Sequence, residues 1–203
     1  GPGVTRSENR HQLFRPSDVI ASLDVLQALC PNLERIALVV SWFGDDLRAG
    51  HCTIAPRVER HLKSTEDLQW RAAGLDRVSA GQVSQLDGRP AYGGTPSDDA
   101  VINLIRTIKA RGFEVVLYPF LMMDLSPGND LPNPYADTPG QPAYPWRGRI
   151  TCHPAPGQAG SPDGTAEAGE QVAHFFGAAL PGHFTAGVDA VLYAGPDEWS
   201  LRR

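Results

Sequence analysis

Apolar residues recur at helical spacing in three segments of the chain. The first runs from about Pro16 to Cys30, where apolar positions three and four apart predict an amphipathic helix. Ser17 or Asp18 is placed to cap its start, and Pro31 ends it.

The second and third helices have clearer boundaries. The run Thr95-Pro96-Ser97-Asp98 combines a hydroxyl cap, an early proline and a first-turn acid, which predicts a helix start. That helix ends at Gly112, which supplies a left-handed exit. The third helix is predicted to begin near 161–163 and to end before Pro181.

Two short segments, 36–40 and 115–118, are continuously apolar instead of alternating. Such strands are typical of a parallel sheet that is covered on both faces, with helical crossovers between the strands. Because each strand follows a predicted helix, the pattern favours an α/β domain.

Other parts of the chain predict hairpins and loops. Asp87-Gly88 is a good hairpin turn inside 83–92, and Pro90 restricts the second arm to a sheet edge. A long stretch rich in Pro, Gly and Asn is expected to be a functional loop. This long loop covers 124–163. A flexible leader is expected at 1–10, a short strand within 70–77 and a second hairpin within 183–193.

Composition narrows the function classes. The 203 residues are 41% hydrophobic and 20% charged, which fits one globular domain spanning 1–203. A formal net charge of −5 without a basic run argues against direct nucleic-acid binding. No apolar run reaches the roughly 20 residues of a membrane span, and no nucleotide-binding glycine motif predicts a cofactor.

The three cysteines are too few for a disulfide framework, and reduced, partly buried thiols are the expected state. Cys52 follows His51, and Cys152 precedes His153, so a zinc site would require the fold to join these two pairs. Neither pair has the C-x-x-C spacing of half a zinc site, and no metal is therefore predicted.

Several segments, taken in order, resemble the barrel-like domain of the host-specificity proteins of alphaproteobacterial gene transfer agents and phage tails. The resemblance covers about 8–203. It is found in residues 29–34, 39–50, 87–98, 117–124, 142–152 and 195–200, which include Val39-Val40-Ser41-Trp42-Phe43-Gly44-Asp45-Asp46 and Tyr144-Pro145-Trp146-Arg147.

This resemblance implies an α/β fold, an incomplete TIM-barrel-like (β/α) domain with irregular loop and hairpin insertions, related to glycoside hydrolases. It also implies a location in the tail tip of a virus-like particle assembled in the bacterial cytoplasm, among other tail and baseplate proteins. In that family the barrel continues beyond the position of Arg203, and a glutamate there is the natural candidate for a glycosidase acid. The catalytic residues are therefore not assigned within this chain.

Groups at the carboxyl ends of barrel strands are the expected substrate contacts. Aromatic rings stack on sugar faces, while acids and arginines bind hydroxyls. The candidate substrate-binding residues at the strand ends are Trp42, Asp45, Asp46, Arg48, Tyr118 and Asp124. Tyr144, Trp146 and Arg147 are further candidates, because an aromatic–cation cluster on a long loop can clamp a saccharide, a phosphate or a partner protein. The alternative interpretation is that Asp45 and Asp46 cap a helix or solvate a turn, and that Trp146 anchors its loop.

Two functions follow from the resemblance. The first is a tail-hub component whose glycoside-hydrolase-like barrel serves in the recognition or degradation of cell-envelope glycan. The second is a catalytically inactive barrel that serves as a structural and protein-contact module in the tail. A third, a small zinc enzyme built on the Cys–His pairs, is the least favoured. Because an opened barrel would expose apolar surface, the isolated chain is expected to self-associate.

Overall fold

A computed structural model of the protein describes residues 10–63, 68–145, 149–188 and 190–203. The three predicted helices are confirmed in this part of the chain as α1 (Asp18–Leu29), α2 (Asp98–Ala110) and α3 (Ala166–Phe176). None of the described helices has the length and apolar character needed to cross a bilayer. Nearly all of the predicted leader, residues 1–10, lies outside the described residues.

The strands differ greatly in length. Two have ten residues each and the others have only two or three. In chain order they are β1 (Arg35–Gly44), β2 (Ile54–Ala55), β3 (Arg57–Val58), β4 (Arg71–Ala72), β5 (Leu75–Asp76), β6 (Gly81–Gln82), β7 (Gln85–Leu86), β8 (Arg89–Pro90), β9 (Glu114–Met123), β10 (Phe184–Ala186) and β11 (Val191–Tyr193).

The two long strands form the parallel pair that their apolar sequences predict. β1 pairs with β9 over ten positions, from Arg35 opposite Glu114 to Gly44 opposite Met123. β2 adds a short antiparallel contact at the end of β1, which gives the sheet order β2-β1-β9. The carboxyl ends of β1 and β9 therefore lie side by side.

The expectation of an incomplete TIM-barrel-like domain is wrong. The described residues contain one three-stranded sheet and four separate two-stranded sheets, with no closed barrel. A barrel requires a strand–helix unit to be repeated around an axis. Here 45–97 and 124–165 fold into hairpins and irregular loops, so only β1, α2 and β9 follow the strand–helix–strand order. The fold is mixed and rich in short strands.

Local sequence signals act as predicted at the helix starts and in the hairpin. The Ser17 and Ser97 hydroxyls accept hydrogen bonds from the third residues of α1 and α2, with N···O distances of 3.3 and 3.2 Å. Asp87 and Gly88 both have positive φ, 49° and 74°, as a type I′ turn between β7 and β8 requires.

The buried apolar residues form three small clusters. One lies where α1 and α2 meet the start of the sheet and contains Leu23, Ile108 and Phe113. A second cluster lies at the carboxyl end of the sheet, and its buried members are Leu47, Cys52, Ile54, Met123 and Leu125. A third cluster packs between the short strands and contains Val58, Trp70, Ala72 and Ala80.

One face of the β1–β9 pair is open over half its length, although both faces were expected to be covered. Ala37 and Val39 on β1 lie opposite Val116 and Tyr118 on β9, so their side chains share one face. All four residues are exposed, Val39 to 51% and Tyr118 to 52%. We call these four residues the open patch.

Candidate functional site

Asp46 follows β1 and is buried, with only 3% of its surface exposed. Its carboxylate pairs with the Arg48 guanidinium, Nη2 to Oδ2 at 2.7 Å and Nε to Oδ1 at 3.0 Å, and also accepts a hydrogen bond from Gln141 Nε2 at 2.7 Å. Burial raises the pKa of this carboxyl, but the hydrogen bonds from Arg48 and Gln141 outweigh burial and leave the pKa below its usual value. Asp46 is a charged, fully paired group.

Asp124 follows β9 and, like Asp46, is buried and paired with an arginine. Its side chain has no exposed surface, and Arg57 Nη1 lies 2.7 Å from Oδ2. The backbone N–H of Ser84 donates to the same oxygen at 2.9 Å. This carboxylate joins β9 to the short-strand region, and its charge adds to the effect of burial in raising the pKa of Tyr92.

Asp45 closes the turn that follows β1. Its carboxylate accepts hydrogen bonds from the backbone N–H and the hydroxyl of Thr53, at 2.7 and 2.6 Å. This supports the alternative interpretation of the Asp45-Asp46 pair, in which the carboxylates organise a turn.

Trp42 and Tyr118, the aromatic candidates on the two long strands, lie on opposite faces of the sheet. Trp42 packs edge-on against Trp199, with ring centroids 5.9 Å apart, and lines an apolar groove of about 380 Å³ with Leu117 and Leu201. Arg203 lies over the Trp199 ring at 4.0 Å and also lines the groove. Tyr118 belongs to the open patch instead.

Tyr144 packs edge-on against Tyr92 at 5.8 Å, and its buried hydroxyl has no hydrogen-bond partner among the described residues. Trp146 and Arg147, the other candidates in this segment, lie outside the described residues. Among the described candidates, the structure brings Asp46 and Arg48 together, places Asp124 in a separate ion pair, and puts Trp42 and Tyr118 on opposite faces of the sheet.

Gln141, which sequence reasoning missed, connects Asp46 to the long irregular stretch. Its Oε1 accepts from the Leu47 N–H at 2.8 Å, while its Nε2 donates to Asp46 and to the Pro132 carbonyl at 2.9 Å. Asn129 adds a two-way pairing with the Gln141 backbone at 2.8 and 2.9 Å, which closes the loop 129–141. A single amide within a Pro- and Gly-rich run has no periodic signal that marks it.

A cleft of about 570 Å³ lies between the loop 129–141 and the segment 153–159. The backbone N–H of Ala155 donates to the Pro134 carbonyl at 2.8 Å and joins the two segments. We call this space the loop cleft. Its polar lining residues are Asp130, Asn133, Asp137, Thr138, His153 and Gln158, and four prolines, Pro132, Pro134, Pro139 and Pro154, line it as well.

His153 lines this cleft, and its backbone is fixed by the side chain of Gln171 on α3. Its backbone N–H donates to Gln171 Oε1 at 2.8 Å, and its carbonyl accepts from Gln171 Nε2 at 3.2 Å. The ring atom Nδ1 is buried and has no hydrogen-bond partner in the described part of the chain. Sequence reasoning considered His153 only as a partner of Cys152.

The two Cys–His pairs do not form a metal site in the described part of the chain, where no group of three or more His, Cys, Asp or Glu is arranged to hold a metal ion. Cys52 is buried in the cluster at the end of the sheet, and burial raises the pKa of its thiol to about 11. The Cys152 thiol instead faces the Ala168 carbonyl at 3.7 Å.

Comparison with protein-family models finds no matching family, and comparison with curated proteins finds no matching relative.

Proposed function

We propose that the chain is part of the tail-tip or baseplate hub of a gene transfer agent or phage-like particle, where it serves as a structural and protein-contact module. Support comes from the ordered resemblance of residues 39–50, 87–98 and 142–152 to the host-specificity proteins of such particles. The location that goes with this proposal is the tail tip of a particle assembled in the bacterial cytoplasm.

The observation on which the contact role rests is the open patch. Ala37, Val39, Val116 and Tyr118 expose apolar surface on one face of a regular parallel pair. The outer edge of β9 has no neighbouring strand in the described residues, and β1 has its second neighbour only at its last two positions. Contiguous apolar surface and unpaired strand edges mark protein–protein contact sites. The occupant we propose is an apolar surface of another tail protein.

The arrangement of the acids favours contact over hydrolysis. Glycoside hydrolysis requires two carboxyl groups that flank the scissile bond and reach it from an open site. Asp46 and Asp124 are buried and each is paired with an arginine, and Asp45 is bound to Thr53. Their hydrogen bonds stabilise the loops at the end of the sheet.

Recognition of cell-envelope glycan is the second candidate function, and the loop cleft favours it. This space is lined by side chains that hydrogen-bond hydroxyl groups, including Asp130, Asp137 and Gln158. Recognition of this kind requires no turnover and is compatible with a contact module in a tail.

The contact role is tested in a bacterium that produces such particles, with the whole protein in place. The variant Val39→Ser/Val116→Ser is expected to be made at a normal level but to be depleted from purified particles, because the patch loses apolar surface. Val78→Ser, a change at an exposed valine outside the patch, is the matched control and is expected to leave incorporation unchanged.

Two results would overturn the proposal. One is the absence of the wild-type protein from purified particles. The other is full incorporation of the double variant at the tail tip, as seen by immunogold labelling.

A further inference from the structure

The loop cleft presents polar groups whose hydrogen-bonding capacity is unused within the described residues. The side chains of Asp130, Asp137 and Gln158 make no hydrogen bond to any described residue. The Asn133 amide uses only its oxygen there, which accepts from the Tyr135 N–H at 2.9 Å. Each of these groups is a strong acceptor, a donor or both. They are therefore available to a ligand.

His153 adds an imidazole to the lining of the cleft. Gln171 fixes the backbone of this residue from α3, with hydrogen bonds to its N–H and its carbonyl. The ring makes no hydrogen bond to any of the described residues, and its Nδ1 is buried. The part of the ring that lines the cleft can therefore pair with a hydroxyl group.

The charge of the lining limits the class of ligand. Asp130 and Asp137 contribute two carboxylates, and no lysine or arginine is among the described residues that line the cleft. Anionic ligands such as phosphates and uronic acids would be repelled. Neutral molecules with many hydroxyl groups match the acceptors, amides and imidazole.

The walls and the size of the cleft fit a molecule with both apolar and hydroxylated surfaces. Four prolines supply rigid apolar walls without backbone N–H groups. The volume of about 570 Å³ lies in the range of roughly 300–1,000 Å³ that is typical of small-ligand sites. A sugar ring has an apolar face for such walls and hydroxyl groups at its rim.

We propose that the loop cleft binds a neutral, hydroxyl-rich saccharide, with the Asp130 and Asp137 carboxylates accepting hydrogen bonds from its hydroxyls and the His153 imidazole pairing with another. This inference rests on the second of the two proposed functions, glycan recognition, and assigns that function to a site. It places the site between the irregular loop 129–141 and the segment 153–159.

The test measures binding of soluble trisaccharides to the purified chain by calorimetry and by NMR. Three neutral probes, chitotriose, cellotriose and maltotriose, are compared with anionic trigalacturonate. At least one neutral probe is expected to bind, and trigalacturonate is not. Asp137→Ala and Asp130→Ala are each expected to weaken binding about tenfold, the size of a lost hydrogen bond to a charged group.

Asp163→Ala is the matched control, because Asp163 is an exposed acid on the next loop and does not line the cleft. It is expected to leave the dissociation constant unchanged. Since Asp130 and Asp137 are exposed, their variants are expected to fold, which thermal unfolding checks.

The possible outcomes distinguish failure of the proposed binding site from failure of glycan recognition as a function. Neutral saccharide binding that is insensitive to Asp130→Ala and Asp137→Ala would overturn this site and leave glycan recognition standing. No binding of any neutral probe up to about 10 mM would overturn both. Equal binding of trigalacturonate would refute the charge argument and, with it, the assigned ligand class.

Discussion

The β1–β9 pair and the loop 129–141 are stabilised in opposite ways. The pair has complete backbone register over ten positions, yet half of one face is open and apolar. The loop has no long strand or helix, yet Gln141 and Asn129 connect it to the buried Asp46 through several short hydrogen bonds. Regular secondary structure therefore does not mark the most constrained part of this chain.

This difference separates two kinds of residue. Polar groups beneath the loops are buried and have specific partners, so removing one leaves another without a partner. Apolar groups on the open patch have few neighbours, so their removal changes a surface and leaves the fold intact. Mutations at the two places are expected to differ in stability and in association.

The largest expected effect is at the ion pair that joins β9 to the short strands. Asp124→Ala removes the partner of Arg57 and of the Ser84 N–H, and we expect the free energy of unfolding to fall by about 3–5 kcal/mol. Urea unfolding measures this loss, with Asp163→Ala as the control. A loss below about 1 kcal/mol, the size typical of a surface ion pair, would contradict the structural role of Asp124.

Gln141→Ala is expected to have the next largest effect. The change removes the acceptor of the Leu47 N–H and the two N–H donors to Asp46 and to the Pro132 carbonyl. The expected loss of unfolding free energy is about 2–3 kcal/mol. Gln158→Ala, at an exposed glutamine in the neighbouring segment, is expected to change stability by less than about 0.5 kcal/mol. Equal effects of the two changes would show that the loop is not held by Gln141.

Lowering the pH tests how much the buried Asp46 carboxylate beneath the loops contributes to stability. Its pKa in the folded protein is below the unfolded value, so its contribution to stability is complete above the unfolded pKa and is lost as the pH falls through the lower folded pKa. We therefore expect the stability penalty of Asp46→Asn to be largest near neutral pH and to shrink below about pH 4. Urea unfolding at a series of pH values tests this, and a penalty that does not change with pH would be the contrary result.

The smallest change in stability is expected at the open patch. Val39→Ser/Val116→Ser is expected to alter the free energy of unfolding by no more than about 0.5 kcal/mol per site, because both residues are half exposed. Static light scattering is expected to show self-association of the wild-type chain that this double change reduces. Unchanged association in the variant, or a monomeric wild-type chain, would argue against self-association through the patch.

Local signals in the sequence predict local structure well. The Ser97 cap and the Asp87-Gly88 turn form as expected, since each depends on residues only a few positions apart. The parallel pairing of β1 and β9 also follows from their apolar runs. The prediction of a barrel was wrong because two parallel strands and a helix are shared by many α/β arrangements. In addition, the intervening 45–97 region folds into its own small sheets.

The site was harder to predict for a physical reason. Sequence places Asp46 and Asp124 at strand ends correctly, but it does not show that Arg57 lies 67 positions before its partner or that Gln141 lies 95 positions after its own. Long-range polar partners leave no periodic pattern. A carboxylate at a strand end therefore looks the same whether it contacts a ligand or is fully paired inside the protein.

The Asp46–Arg48–Gln141 network has an evolutionary consequence. Loss of any one member removes a partner from a buried charge, so single substitutions at these three positions are disfavoured while coordinated ones are tolerated. In an alignment of related chains, positions 46, 48 and 141 are expected to covary or to stay fixed together. Loop sequences between them are expected to drift more freely, since they contribute mainly backbone to the same network.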